Sequence, residues 1–222
     1  MTDEYTVHPA DLSLREIVDP ARSALVLVDV MNDFCHHRGH FAQAGCDMEL
    51  IDNLIEPLAL VLEAARSRSV IVVHIQNTVL PDGASDSAAF MRFKGKIPGG
   101  SSPYNIKGTW GWEIYAPFTP RPGELIVEKH RPSGFVGTDL DQLLRVAQID
   151  TVIVGGLATE GCVQSTAVDA MFRGYFTVLL EDCVGTYSPE LHAAGLAYMQ
   201  PRLDVISSSE VLTIWDFDSG SD

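Results

Sequence analysis

The sequence predicts a three-layer α/β/α fold in which helices cover both faces of a doubly wound, mostly parallel sheet of six strands. Two observations carry this prediction. Short apolar runs rich in β-branched residues alternate with helical patterns, and neither a repeat nor a linker interrupts the alternation. Parallel strands joined by right-handed helical crossovers produce this order of elements. With 222 residues, 46% of them hydrophobic, the chain is long enough for one domain with a large core.

Six runs have the length and composition of buried strands. They are residues 23–29, 69–75, 124–129, 150–156, 175–182 and 203–208. Helical patterns lie between them at 48–68, where Leu and Ile recur at steps of three and four residues, at 138–148, after Cys162, and at 189–200. The prediction is therefore a repeating βα chain.

Three segments of the single predicted domain, residues 1–222, depart from this pattern. Residues 1–18 are predicted to be an N-terminal arm, and residues 216–222 a flexible acidic tail. Residues 76–122 form a long loop rich in Gly, Pro, Ser and aromatic residues. Loops of this length are usually functional or disordered. Because this one contains the stretch GTWGWEIY, we expect it to be ordered, either walling a pocket or packing against the domain.

The charge balance excludes several classes of partner. The formal net charge is −15 and the pI is near 4.7, with no Lys or Arg cluster, so nucleic acid and anionic membranes are disfavoured. The apolar runs are strand-sized and the N-terminus lacks a signal-peptide pattern, so we expect no membrane span and a cytoplasmic protein. A neutral or zwitterionic small molecule is the favoured ligand, unless the pocket supplies its own cations.

Cys162 stands where the strand predicted at 150–156 turns into a helix, within GGLATEGCVQSTAVDA. Ligands of open α/β sheets bind beyond the carboxyl ends of the strands, where a helix start offers free N–H groups and a positive dipole end. We therefore expect a reactive thiol whose pKa lies below that of an ordinary cysteine. The alternative is a small buried hydrophobe. The chain's four cysteines include no C-x-x-C pair, so free thiols are expected.

Two charged residues end other predicted strands: Asp29 follows LVLV, and Lys129 ends ELIVEK. Since the carboxyl ends of parallel strands share one edge of the sheet, we expect both near Cys162. Each charge alone could be a salt-bridged or solvated strand end. Together the three residues supply a nucleophile, a base and a cation that stabilises a thiolate.

These residues and their neighbours resemble the isochorismatase-like cysteine hydrolases. The similarity runs through SALVLVDVMNDF (23–34), EKHRPSGFVGTDLDQLLR (128–145), GGLATEGCVQSTAVDA (155–170) and YFTVLLEDCVGT (175–186). The resemblance implies a Rossmann-like doubly wound fold with Asp29, Lys129 and Cys162 as a catalytic triad. It also implies a cis peptide bond between Leu157 and Ala158, with the N–H groups of Ala158 and Cys162 forming an oxyanion hole.

Departures from the family pattern narrow the expected chemistry. Isochorismatases proper cleave a vinyl ether and lack the cysteine, so Cys162 favours amide hydrolysis. Nicotinamidases bind a metal through an Asp-x-His and a later His, whereas here His74 stands alone at the end of the second strand. The histidine-rich stretch HHRGHF matches a family loop rather than a metal site. We expect no catalytic metal and no cofactor. Met31 replaces a glutamine that is common in relatives.

Within the family, GTWGWEIY and KHRPSGFVGTDLDQLLR are most similar to enzymes that act on ureides and carbamoyl compounds: biuret hydrolases, ureidoacrylate amidohydrolases and N-carbamoylsarcosine amidohydrolases. By position, Phe34, Trp112 and Phe135 are candidate substrate-binding residues. Gln200 falls about where biuret-type enzymes place a substrate-contacting glutamine, and a glutamine on a helix surface is the alternative. We also expect the long loop to bring Trp110 or Trp112 near Cys162.

The sequence thus predicts a cysteine-dependent amidohydrolase that cleaves a C–N bond of a small amide, ureide or carbamoyl compound through a thioester and releases ammonia. Two alternatives stay open: a hydrolase of the same fold that acts on a non-amide bond, and a non-catalytic binding member. The expected partners are the small-molecule substrate and further copies of the chain, in a homodimer or homotetramer.

Overall fold

Six parallel strands form the central sheet of the computed structural model, which describes residues 12–217. They are β1 (Ser23–Val28), β2 (Ile71–Asn77), β3 (Leu125–Lys129), β4 (Thr151–Leu157), β5 (Phe176–Gly185) and β6 (Asp204–Ile206). The spatial order is β3-β2-β1-β4-β5-β6, and every neighbouring pair is parallel. The order reverses direction between β1 and β4, which is where doubly wound sheets bind ligands. The predicted fold class is confirmed.

Helices cover both faces of this sheet. The α-helices are α1 (Leu14–Ile17), α2 (Asn32–Cys35), α3 (His40–Gln43), α4 (Glu49–Ser67), α5 (Ala88–Lys94), α6 (Leu140–Val146), α7 (Gln164–Phe172), α8 (Pro189–Met199) and α9 (Ser208–Phe217). On one face α4 and α9 pack together against β5, and on the other α6, α7 and α8 contribute to a second core. Within residues 12–217, no helix has the length and apolarity that crossing a bilayer requires.

Strand β1 shows why the sheet must be covered on both sides. All six of its residues are buried. Leu25 and Leu27 pack into the core beneath α4, whereas Ala24, Val26 and Val28 pack into the core on the opposite face. Side chains alternate between the two faces of a strand, so a continuous apolar run is stable only between two helical layers.

Helix α4 covers one face through a regular apolar stripe. Its buried residues recur at steps of three and four, which places them on one side of a helix. They are Ile51, Leu54, Leu58, Val61, Leu62 and Ala65. Pro57 lies inside this helix and is partly buried.

The structure adds a helix near each end of the described residues. Residues 12–18 of the predicted arm include α1, and the carbonyl of Val18 accepts a hydrogen bond from the Trp215 indole at 2.9 Å. Helix α9 was not predicted and continues through Phe217, so the first two residues of the predicted tail are helical. The other predicted arm and tail residues, 1–11 and 218–222, lie outside the described part of the chain.

Glycine is required at position 156, where β4 passes β1 just before the predicted catalytic Asp29. Gly156 has a φ of 118°, and a Cβ built there would lie 2.1 Å from the carbonyl oxygen of Val28. Any side chain would therefore push the two strands apart. Close contact at this point sets the spacing of the two loops that follow β1 and β4.

A buried polar cluster joins α4 to β2 and to the start of β3. Arg66 donates to both oxygens of Glu124, at 2.6 and 3.0 Å, and His74 hydrogen-bonds to the same carboxylate at 2.8 Å. Burial opposes ionisation of Glu124, but these hydrogen bonds outweigh it and lower its pKa to about 2. His74, which the sequence analysis found to be alone at the end of the second strand, therefore has a structural role in this cluster.

Because the pKa of Glu124 falls from about 4.5 to about 2 on folding, its stabilising contribution is present above pH 4.5 and is lost as the pH drops toward 2. Glu124→Gln should lower the free energy of unfolding at neutral pH by on the order of 3 kcal/mol. It should also flatten the pH dependence of stability in the acidic range. Urea denaturation at neutral and acidic pH measures both effects.

The matched control is Glu63→Gln, because Glu63 also pairs with Arg66 but is 56% exposed. Its cost should stay below about 1 kcal/mol. If both variants lose the same stability and keep the same acid sensitivity as the parent chain, the buried cluster does not stabilise the fold.

Candidate active site

Three of the predicted site residues meet at the carboxyl edge of the sheet. The ammonium of Lys129 lies 2.8 Å from Asp29 Oδ2 and 3.2 Å from Cys162 Sγ. The Asp29 carboxylate contacts the Cys162 thiol as well. Asp29 and Lys129 are almost fully buried, with side-chain exposures of 1% and 0%. The carboxylate and the ammonium are therefore shielded from water, and both contact the partly exposed thiol.

The elements that carry these residues explain why they converge. Asp29 immediately follows β1, Lys129 ends β3, and β2 lies between these two strands. Asp29 has a φ of 56°, in the left-handed region that ends a strand, although its N–H still bonds to Ile75 O of β2 at 2.9 Å. The long stem of Lys129 lets its ammonium reach across the end of β2.

Cys162 lies in the single helical turn Thr159–Val163 that precedes α7. The peptide bond between Leu157 and Ala158, at the start of this connection, is cis, as the resemblance implied. Ala158, Gly161 and Cys162 all line one cavity. The thiol therefore sits at the junction of a strand and a helix and opens onto a pocket.

Burial raises the pKa of Asp29, and the neighbouring Lys129 ammonium opposes that rise. Burial also disfavours the charged form of Lys129, but the Asp29 carboxylate outweighs it and raises the pKa of the ammonium. Lys129 is consequently held as a cation. Asp29 is a stronger base than an ordinary carboxylate, which suits it to accept a proton from the adjacent thiol.

The expectation of a lowered thiol pKa is wrong for the free enzyme. Burial raises the pKa of Cys162 to about 12; Lys129 opposes this, and the negative charge of Asp29 adds to it. The sequence predicted the cation, the base and the helix start near the thiol, but it did not show that burial would outweigh the cation. Cys162 therefore rests as a protonated thiol and needs a base to remove its proton as it reacts.

The cavity in front of Cys162 has a volume of about 240 Å³. This volume is below the range typical of pockets that bind drug-sized ligands. Much of its wall is aromatic. Phe34 and Phe41 stack with ring centroids 5.1 Å apart, and Tyr187 stacks on Phe41 at 4.8 Å. Tyr104 packs edge-on against Phe41 at 5.0 Å. The site accommodates a small molecule in largely apolar surroundings.

The predicted long loop, residues 76–122, forms one wall of this cavity. It contains α5 and supplies five lining residues: Asn77, Phe90, Phe93, Ile97 and Tyr104. The wall is braced by a buried ion pair between Lys94 and Asp86 at 2.8 Å, and the Lys94 ammonium lies 4.6 Å from the Tyr104 ring centroid. The loop is therefore ordered and contributes to the site.

Asp33, on α2, anchors the long loop to the rest of the domain. Its Oδ2 accepts a hydrogen bond from the N–H of Asn105 at 2.7 Å, and its Oδ1 accepts one from the N–H of His40 at 3.2 Å. Gly111 packs so closely that an added Cβ would lie 2.2 Å from Asp33 Oδ1. One carboxylate thus ties together three segments around the pocket.

Of the four predicted substrate-binding residues, Phe34 lines the cavity and the other three do not. Trp112 donates from its indole to Thr78 Oγ1 at 2.9 Å, which holds it in the body of the long loop. Trp110 packs on His36 and is 42% exposed. Neither tryptophan lines the cavity, and the expectation that one of them lies near Cys162 stays a prediction.

Phe135 and Gln200 also lie elsewhere. Phe135 stacks on Tyr175 in the core that α6 and α7 cover, because its strand-end loop turns back under the helices. Gln200 lines a groove with Phe176, at the start of β5. Helix α8 runs back along the sheet, so the residue after it falls at the amino edge, opposite Cys162.

Two charged residues in the cavity were missed. Glu160 and Arg131 line it together with the thiol. Each stands two residues from a predicted catalytic residue, Cys162 or Lys129. Their closeness in sequence to the predicted catalytic residues could have indicated them. This spacing alone, however, does not show which side chains face the cavity.

The histidines of HHRGHF take part in local contacts. The His40 ring bonds to Gly99 O at 2.8 Å, and the His37 ring bonds to Asp52 at 3.0 Å. Within residues 12–217, no group of three or more His, Cys, Asp or Glu side chains is arranged to hold a metal ion.

Comparison with known proteins places this site in a family. The isochorismatase domain matches residues 23–211. The ureidoacrylate amidohydrolase RutB of Methylobacterium radiotolerans is 32% identical over 193 residues, which cover 82% of this chain and 75% of that protein. The chain belongs to the isochorismatase family and is a hydrolase of that family.

Solved structures share the fold. An N-carbamoylsarcosine amidase from Thermoplasma acidophilum superposes with a TM-score of 0.66 at 31% identity, covering 84% of this chain and 96% of that one. A cysteine hydrolase from Pseudomonas syringae pv. phaseolicola superposes with a TM-score of 0.78 at 23% identity, covering 90% of this chain and 95% of that one. The second likeness concerns the fold alone.

The proton balance of the site can be tested by alkylation, which requires the thiolate. Asp29→Asn removes the charge that raises the Cys162 pKa and leaves Lys129, so iodoacetamide should modify Cys162 about tenfold faster at mildly basic pH. Lys129→Met should slow the reaction, because the ammonium favours the thiolate. Peptide mapping by mass spectrometry, with Cys46 as the internal reference, measures both rates. Slower alkylation in Asp29→Asn would contradict a contribution of the Asp29 charge to the raised pKa of Cys162.

Proposed function

We propose that the protein is a cysteine-dependent amidohydrolase that cleaves a C–N bond of a small amide, ureide or carbamoyl compound and releases ammonia. The observation that carries the proposal is the contact of Cys162 with both Lys129 and Asp29, where Cys162 lines a cavity of about 240 Å³. Two relatives described above, a ureidoacrylate amidohydrolase and an N-carbamoylsarcosine amidase, support the substrate class.

The first half of the reaction forms a thioester. As the Cys162 sulfur attacks the substrate carbonyl carbon, Asp29 accepts the thiol proton, for which its raised pKa suits it. The carbonyl oxygen becomes an oxyanion, which the N–H groups of Ala158 and Cys162 stabilise. The C–N bond then breaks, Asp29 returns the proton to the leaving nitrogen, and ammonia departs.

The second half releases the acid and restores the enzyme. Asp29, again a carboxylate, takes a proton from a water molecule as the water oxygen attacks the thioester carbonyl. The C–S bond breaks, the sulfur regains the proton from Asp29, and the product leaves as a carboxylic or carbamic acid. Throughout the cycle Lys129 holds the sulfur and the carboxylate in contact and offsets the negative charge that passes between them.

Neither half of this reaction requires a cofactor, because the thiol supplies the nucleophile and Asp29 moves every proton. The cavity's small volume and aromatic walls support a small substrate held away from bulk water. A hydrolase acting on a non-amide bond and a binding protein without activity are the outcomes that would overturn the proposal.

A screen for ammonia release over small amides and ureides tests the proposal. At least one compound should be hydrolysed, and Cys162→Ala should lower kcat/KM at least ~10⁴-fold without unfolding the chain, because Cys162 lies at a strand-to-helix junction. Cys46→Ala is the control, since Cys46 lies outside the cavity, and it should keep the parent rate. No ammonia from any compound, or equal loss in both variants, would overturn the proposal.

Dependence on a metal is tested separately. Activity should survive prolonged incubation with EDTA, because the proposed steps use only side chains and water. Loss of activity that zinc, iron or manganese restores would show that a bound metal takes part.

We propose that the chain forms a homodimer or homotetramer in the cytoplasm. Exposed apolar side chains on the edge strand β3 and on α6, Ile126 at 51% and Val146 at 79%, support self-association. All four cysteines are free thiols, as a reducing compartment allows. Light scattering on the purified protein should give a mass two or four times that of one chain, and a monomer at micromolar concentration would contradict the assembly.

A further inference from the structure

Glu160 is a charged residue in the cavity that the proposed mechanism does not use. It lies two residues before Cys162 in the turn between β4 and α7, and it lines the same cavity. Its Oε1 accepts a hydrogen bond from Thr186 Oγ1 at 3.1 Å. Its Oε2 is buried, and no donor within residues 12–217 reaches it. One oxygen of this carboxylate is thus held by the protein and the other is left without a donor.

The backbone that carries Glu160 is held firmly in place. Thr159 Oγ1 hydrogen-bonds with the His192 ring of α8 at 2.9 Å. On the same helix Gly195 packs directly on the turn, since an added Cβ would lie 3.1 Å from Glu160 Cα. With its backbone packed and Oε1 bonded, the carboxylate cannot readily turn away from the cavity. The position of Oε2 is therefore preorganised.

A buried acceptor without a donor is costly, and more so when it carries charge. The other charges of the site do not relieve this cost: Lys129 contacts Asp29 and Cys162, and Arg131 donates to Ser85 O at 3.0 Å. The group that satisfies Oε2 then comes from a molecule in the cavity, either water or the substrate. A carboxylate accepts hydrogen bonds and, when ionised, donates none, so the bound molecule must offer an N–H or O–H.

We propose that Glu160 determines substrate specificity by accepting an N–H from a second nitrogen-bearing group of the substrate, apart from the nitrogen that leaves. This rests on the proposed amidohydrolase function and narrows its substrates to ureides and diamides with an NH₂ group beyond the scissile carbonyl. The aromatic side chains that line the same cavity limit the water that could replace the substrate N–H.

Two pairs of compounds isolate this hydrogen bond. Malonamide has a distal NH₂ where acetoacetamide has CH₃. Biuret and N-acetylurea differ in the same way, with the NH₂ in biuret. For at least one pair the parent enzyme should prefer the NH₂ member by about tenfold or more in kcat/KM. Glu160→Ala should reduce that preference to about twofold or less, by lowering activity on the NH₂ member alone. Glu56→Ala, which removes an exposed carboxylate of α4, should leave the preference unchanged.

The outcomes separate the specificity proposal from the function. If Glu160→Ala lowers activity on both members of a pair equally, Glu160 serves the turn or the leaving nitrogen and the specificity proposal is overturned. If the parent enzyme releases no ammonia from any compound, the proposed function fails, and protection of Cys162 from iodoacetamide then decides the specificity. The NH₂ members should protect better than their CH₃ partners in the parent chain and equally well in Glu160→Ala. Equal protection by both members in the parent chain overturns the specificity proposal as well.

Discussion

The buried ion pair between Asp29 and Lys129 is the interaction on which the rest of the site depends. Removing either partner would leave the other as an uncompensated buried charge, which costs several kcal/mol. The pair bridges the ends of β1 and β3 across β2, which ties three strand ends into one rigid edge. It also fixes protonation: Lys129 stays charged, and Asp29 becomes a base strong enough to accept a proton from the Cys162 thiol. This one contact therefore sets both the geometry of the candidate site and the protonation states of its residues.

The reacting groups and the cavity walls come from different parts of the structure, and these parts differ in how much change they tolerate. The reacting groups come from the ends of β1, β3 and β4, where a fully buried strand and the contact at Gly156 leave little freedom. The walls come from α2, α3 and the long loop, whose aromatic rings are held by stacking and by the Lys94 ion pair. A rigid edge positions the chemistry, and packed side chains shape the space in front of it.

The strands and most of the helices could be predicted from the sequence, because the periodicity that marks them is local. The six strands were found to within a few residues, as was the convergence of Asp29 and Lys129, since strand ends of a parallel sheet must share an edge. The loop residues were not predictable in this way. Trp112 was a pocket candidate by position, but its indole bonds to Thr78 instead. Gln200 was misplaced because α8 returns to the far edge of the sheet. The thiol pKa depended on contacts between residues distant in the chain, which periodicity does not contain.

The anchoring of the long loop through Asp33 has an evolutionary consequence. The loop leaves the sheet at the end of β2 and returns at the start of β3, and it is fastened from outside by a carboxylate that takes no part in the chemistry. Its sequence can therefore diverge, lengthen or be exchanged while the reacting groups stay in register. Descendants of such a scaffold can acquire new substrates by rebuilding one insertion, and homologues that share the same three reacting side chains need not share a metabolic role.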